Sequence, residues 1–253
     1  MSRNDTLLDL LDARAGIVCA VGAGGKKSLL QHLAKSHPGR VAMTCTVVTP
    51  HFPASLGFGV AIAPAGELYA AVAALDRSAG AAYACPNDKY DRHTGVPPEL
   101  VERIHGEQGF AATYVKADGA RMRWIKAPDD DEQVVPMSCH RVLAIVSARA
   151  IGEPLGPRVA HRINCLQAVT GLAVDESISP LHVGRLIASR AGLQKASESH
   201  RVLPVINMVD DARREALARE AAAIALDLNP GIEQVVLTCL QRADDPVVAV
   251  VRR

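Results

Sequence analysis

A three-layer α/β fold around a mostly parallel sheet is what this sequence predicts, and two observations lead there. Apolar runs of strand length alternate with helix-like stretches along the chain, the pattern of parallel strands joined by right-handed crossovers. The glycine-rich, acidic and amide residues fall at the carboxyl ends of those runs, where open α/β sheets bind ligands. With 253 residues, 49% of them hydrophobic, the chain suffices for a large core, and we read 1–253 as one domain without repeat or linker.

Composition narrows the function classes. A net charge of +1 and 3% aromatic residues give no reason to expect nucleic acid or an anionic membrane surface as a partner. No apolar stretch has membrane-spanning length, and the N-terminal residues carry Asp5, Asp9 and Asp12 rather than a signal-peptide core. The six cysteines form no CxxC pair, and Cys19, Cys45 and Cys239 sit in apolar runs. A reduced, cytoplasmic chain is therefore expected.

The elements follow in order. Asn4 or Asp5 caps a short helix whose apolar side is Leu7, Leu8, Leu10 and Leu11. The run Gly16–Val21 is a strand that enters Gly22-Ala23-Gly24-Gly25-Lys26-Lys27-Ser28, and a helix follows with Leu29, Leu30 and Leu33 on one face. Strand, glycine loop, lysine and helix make a phosphate-binding loop. Glycines let the backbone approach phosphate oxygens, the helix start offers free N–H groups, and the lysine neutralises the terminal phosphates. The other reading is a tight strand-to-helix turn with no ligand. The loop is two residues shorter than the common GxxxxGK form, a length found in the ATP-binding Mur ligases. Lys27 stands where a hydroxyl would normally meet Mg²⁺, and Ser28 comes one position late.

His37-Pro38-Gly39 stops the helix, and Val41–Val48 reads as a buried strand. Thr44 and Thr46 point to one side of it, either as ligands for Mg²⁺ or phosphate or as ordinary β-branched strand residues. Thr49–Pro64 is rich in Pro and Gly, Glu67–Leu75 is helical, and Arg77–Val96 reads as a long surface loop. Pro97 and Pro98 open the next helix. The strand from Phe110 ends in Asp118-Gly119, where the acid can hold Mg²⁺ through its water shell as in a Walker B element, or simply make a turn. Lys126-Ala127-Pro128, an acidic run from Asp129 to Glu132 and Val134-Val135-Pro136 come next.

Val142–Val146 is a further strand. Arg158, His161 and Arg162 then face an anion or form a solvated basic helix start. Pro180–Ala188 is helical. The strand Val202–Ile206 ends in Asn207-Met208-Val209-Asp210, close to the NKxD that reads guanine in GTP-binding proteins but with Met208 in place of lysine. The last elements are a long Ala-rich helix over 211–227 and two strands, 234–240 and 247–251.

Taken together, these segments resemble the YqeC family of selenium-dependent molybdenum hydroxylase accessory proteins. The resemblance rests on Val21–Ser28 against a VGAGGKTS-like loop, on Met43–Thr46 against a Thr-rich strand, and on Lys116–Pro136 against an EADGAR…LKAP…EPVIP-like block. Gly152–Leu155, Ala160–Arg162 and Asn207–Asp210 match its GxPL, VHR and NKVD segments. Departures fall at Lys27, Cys45, Lys116 and Met208, where the family resembles Thr, Thr, Glu and Lys. The resemblance implies a P-loop NTPase-like fold. It also implies a role in selenium or molybdenum cofactor biosynthesis or insertion, with a molybdenum hydroxylase as client.

Two functional readings follow. One is a Mg²⁺-dependent NTPase or NTP-using transferase acting with ATP or GTP. In it Lys26 and Asp118 are catalytic, Gly22 to Ser28 with Asn207 and Asp210 hold the nucleotide, and Thr44, Thr46 and Asp118 serve the metal. The other is a non-hydrolysing nucleotide-binding protein that docks on a client enzyme.

Overall fold

The computed structural model describes residues 3–242 and 244–253. Nine strands form the central sheet: β1 (Gly16–Gly22), β2 (Val41–Cys45), β3 (Gly59–Ile62), β4 (Ala81–Ala84), β5 (Ala112–Lys116), β6 (Cys139–Ser147), β7 (Val202–Asn207), β8 (Gln234–Thr238) and β9 (Val247–Arg252). Their order across the sheet is β9-β8-β7-β6-β1-β5-β2-β4-β3. Every pairing is parallel except β8 with β9. Two short ladders lie outside the sheet, Thr49–Pro50 with Arg92–His93 and Ile125–Lys126 with Ala160–His161.

Seven helices cover both faces: α1 (Arg3–Leu10), α2 (Lys26–Ser36), α3 (Ala65–Ala73), α4 (Pro98–Glu107), α5 (Ile163–Thr170), α6 (Pro180–Ala188) and α7 (Ala212–Leu228). Leu7, Leu8 and Leu11 join Leu29, Leu30 and Leu33 of α2 over one face, against Val18, Ala20, Tyr114 and Ile145 of the strands. The other helices pack on the opposite face, where Leu68, Ile104, Leu166, Leu186 and Ala221 meet Cys19, Val21, Val115 and Ala144. Alternate residues of β1 thus feed opposite cores, as the pleat dictates for a strand buried on both sides. The capping side chains expected at Asn4 or Asp5 lie outside the described residues.

Most expected elements form within a few residues of their predicted bounds, but β3 forms inside the Pro- and Gly-rich stretch 49–64, and two other segments differ. Val41–Val48 pairs in the sheet only to Cys45, because Thr46 and Val47 bend away. The stretch 77–96 is not a surface loop throughout, since β4 inside it is fully buried between β2 and β3. Ala81-Ala82-Tyr83-Ala84 escapes sequence reading because alanine is depleted in strands and four residues carry little periodicity. Helix α5 matches the helix start that is one of the two readings of Arg158, His161 and Arg162. It starts directly after Arg162, which sits in the left-handed region at φ 62° without a side-chain cap.

The order places β1 at the centre, with β5 and then its chain neighbour β2 on one side and the later β6 on the other. The glycine loop sits at the strand ends there, in the position that the ligand crevice takes in open α/β sheets.

Candidate functional site

The glycine loop is held by long-range contacts along most of its length. Gly22, Gly24 and Gly25 all have positive φ, at 86°, 87° and 112°. A Cβ at these positions would overlap the Ile145 carbonyl, Ser147 and the Asn207 amide respectively, so close approach as well as dihedral freedom requires glycine. The Gly22 N–H donates to Asp118 Oδ2 at 2.8 Å, the Ala23 N–H to Ile145 O at 2.8 Å, and the Gly24 N–H to Arg123 O at 3.1 Å. These amides are therefore spent inside the protein. The open donors lie one step further on. The first helical bond runs from the Leu29 N–H to Gly25 O, which leaves Lys26, Lys27 and Ser28 without intrahelical acceptors. Gly25 caps α2 with no side chain across it, and the first turn carries no acid. The positive end of α2 thus meets the crevice unopposed.

Lys26 and Asp118 are brought together, but on each other. The Lys26 ammonium lies 2.8 Å from Asp118 Oδ1 and donates to the Gly22 carbonyl, with both residues buried. Burial pulls the Lys26 ammonium below the ordinary lysine value, against the opposing attraction of Asp118. A second buried lysine completes the cluster. Lys126 lies 3.1 Å from Asp118 Oδ2, 2.7 Å from Glu132 Oε2 and 2.5 Å from the Gly119 carbonyl. Sequence reasoning passed over Lys126 and Glu132 as site residues. Their one signal was membership of the LKAP-containing block; nothing in spacing shows that a lysine on a two-residue strand turns inward.

Lys116, at the end of β5, adds a third ammonium. It donates to Val48 O at 2.9 Å, and burial together with Lys26 pushes it down to about 8. Lys27 lies apart from the Lys26, Asp118 and Lys126 cluster and donates to His51 O at 2.7 Å, while Ser28 is exposed. Cys45, beside Lys116 and Lys27, is pushed up to about 12 by burial, so its thiol stays protonated and unreactive. Lys26, Lys116 and Lys126 therefore outnumber Asp118 and Glu132, and the positive charges prevail around the loop.

The remaining expected residues are engaged elsewhere. Thr44 donates to Tyr83 O at 2.7 Å and Thr46 to Val134 O at 2.6 Å. Asn207 is buried, donating to Gly24 O at 2.9 Å and accepting from Thr238 at 3.0 Å, so it braces the loop. Asp210 Oδ2 accepts from Arg149 Nε at 2.9 Å and from the same guanidinium's terminal nitrogen at 2.6 Å. Met208 has positive φ and its sulfur accepts from Ser147 at 3.2 Å. As arranged, Thr44, Thr46 and Asp118 do not fit a Mg²⁺ ion. Both hydroxyls lie on carbonyls, and the only carboxylate holds two ammonium groups that repel a cation.

Lys116 makes the site pH-sensitive. Its proton is held weakly, and an anion in the crevice would favour the charged form. Triphosphate affinity is expected to fall as pH rises from about 7 to 9 through the Lys116 value, with proton uptake on binding near pH 8. Calorimetry in buffers of different ionisation enthalpy measures that uptake. A pH-independent affinity across the window would remove Lys116 from the site. Stability moves the other way. Between about 8 and the ordinary lysine value the unfolded chain binds the extra proton, so this group makes the fold more stable as pH rises there.

A parallel α/β sheet with a lysine-ended glycine loop at its central strand defines an α/β protein with a candidate anion-binding crevice. Its family is also evident from comparison. The profile of the YqeC protein family matches residues 18–164, more than half of the chain, and the chain belongs to that family. A similar curated protein is the uncharacterized protein YqeC of Escherichia coli (strain K12). It is 27% identical over 172 residues, covering 65% of this chain and 64% of that protein's own length. The chain thus spans less than two thirds of that relative. No solved structure matches. Among the described residues, no helix is long and apolar enough to cross a membrane.

Proposed function

We propose that this protein binds a nucleoside triphosphate at residues 22–28 in the manner of a P-loop protein. We further propose that it serves as an accessory protein in maturing selenium-dependent molybdenum hydroxylases, the role its family resemblance implies. The observation that carries the nucleotide reading is the uncapped start of α2 beside the buried Lys26, in a crevice where ammonium groups outnumber carboxylates. Triphosphate oxygens would take the amides of Lys26 to Ser28 and draw Lys26 from Asp118.

The non-hydrolysing variant of this reading is favoured by Lys27 and the two threonines. Lys27 offers no hydroxyl to a metal, and Thr44 and Thr46 are bonded to carbonyls. Mg²⁺ would arrive with the nucleotide's own oxygens rather than wait in the resting protein. Base selection is weak on this reading. Asp210 would have to leave Arg149 to accept from guanine, and Asn207 is committed to Gly24. ATP and GTP are then both candidate ligands.

Lys26→Ala tests the site. Triphosphate affinity measured by calorimetry is expected to fall on the order of 100-fold, the loss of a charge-assisted contact in a buried setting. An unchanged affinity in a folded variant sinks the assignment. Phosphate release by the wild type with Mg²⁺ and each triphosphate separates the two variants of the reading. Turnover near 1 s⁻¹, ordinary for an enzyme, would favour the NTPase.

A further inference from the structure

A second concave site lies on the far side of the segment 121–126. It is a cavity of about 500 Å³ whose wall includes Arg121, Arg123, His161, Arg162 and Asp129. That volume falls in the range of small-molecule sites. Its charges do not balance. Asp129 is the one acid in the wall, and Arg162 already occupies it at 2.7 Å. The Arg123 guanidinium donates only to the Arg121 carbonyl, at 3.0 Å, and among the described residues neither Arg121 nor Arg123 has a carboxylate partner. His161 sits among these cations, on the two-residue ladder that also carries Lys126. Burial, then Lys126, Arg162 and Arg121, hold its imidazole below the ordinary histidine value against the opposing pull of Glu132, so the ring registers a net positive field. Gathering like charges around a concavity costs free energy unless an anion completes it.

We propose that this cavity binds a phosphate-bearing small molecule, with Arg121, Arg123 and Arg162 as its oxyanion contacts and His161 beside them. Planar guanidinium forks match phosphate oxygens two at a time, which lysine cannot do. The cavity is distinct from the crevice at Lys26, yet the two share a wall. The Arg123 carbonyl accepts from the Gly24 N–H, and the Trp124 carbonyl accepts from the Ser147 N–H at 3.0 Å. A ligand here would lie across that wall from any triphosphate. The inference stands on the cavity's own residues and does not require the nucleotide reading.

The test uses inorganic pyrophosphate and the His161 ring proton in NMR, assigned with His161→Gln. Saturating pyrophosphate is expected to move the His161 titration midpoint upward by about one pH unit, because a bound anion favours the imidazolium. Arg121→Gln combined with Arg123→Gln should weaken the pyrophosphate dissociation constant read at His161 about tenfold or more. Neither side chain holds a carboxylate, so thermal melting should stay near that of the wild type. The same titration in Lys26→Ala should still move His161. A His161 signal indifferent to pyrophosphate, or a double variant that binds like the wild type, overturns the proposal. Loss of the response in a folded Lys26→Ala protein would do the same and assign the anion to the glycine loop instead.

Discussion

Asp118→Ala is expected to destabilise the protein by about 3–5 kcal/mol, the usual consequence of leaving a buried charge without its partner. Asp118 is 1% exposed and faces Lys26 at 2.8 Å and Lys126 at 3.1 Å. Removing it strands two ammonium groups that face each other through a space closed to water. Lys126 would retain Glu132 at 2.7 Å, but Lys26 would keep only the Gly22 carbonyl. The Gly22 N–H would also lose its acceptor, which adds the cost of an unsatisfied buried donor. Urea unfolding at neutral pH measures the change. Asp118→Asn, which keeps an acceptor and drops the charge, should fall between variant and wild type. A loss below about 1 kcal/mol for the alanine variant would mean that water reaches the lysines, as it does for surface pairs.

Gly22→Ala should be nearly as severe, at about 2–5 kcal/mol, for a different reason. The residue has φ 86°, which costs an L-residue roughly 1–2 kcal/mol by itself. Its new methyl group would also overlap the carbonyl oxygen of Ile145, a backbone atom fixed inside β6. Relief requires β1 to move away from β6, and that breaks the Ala23 N–H to Ile145 O bond which positions the loop. Gly66 in α3 makes a clean comparison, because a methyl group there meets nothing within 4 Å. The same substitution at Gly66 should be neutral or stabilising by up to about 1 kcal/mol. Equal thermal shifts for the two variants would contradict this account of the loop.

The two variants also mark what could be read from sequence. That glycines follow β1 and that an acid ends β5 was visible, because local pattern decides both. The strand-end rule gathers Gly25, Thr44, Asp118 and Asn207 at one end of the sheet; Thr44 turns instead to Tyr83 O. What these residues do to each other was not visible. Asn207 resembled a base-reading amide and is instead a brace for Gly24, since only the pairing of β7 with β6 brings it there. Nothing in spacing marked Lys126 or Arg149: Lys126 folds back on Asp118, eight residues earlier, and Arg149 reaches Asp210, 61 residues later. Strand β4 was hidden by its own alanines, whose burial depends on neighbours rather than on hydrophobic contrast.

The distances along the chain between loop contacts carry a consequence for folding. Gly22 finds Asp118 96 residues later, and Gly24 finds Asn207 183 residues later. Asn207 in turn is set by Thr238, near the far end of the chain. No local contact substitutes for these, so β1 must wait in the growing chain for both of its sheet neighbours. Non-local pairing of this kind slows folding, because loop-closure entropy is lost before any contact rewards it. During synthesis the glycine loop emerges well before Asn207 and acquires its shape only after it. A ribosome-bound chain that has not yet exposed β7 holds every residue of the loop and lacks the brace that shapes it.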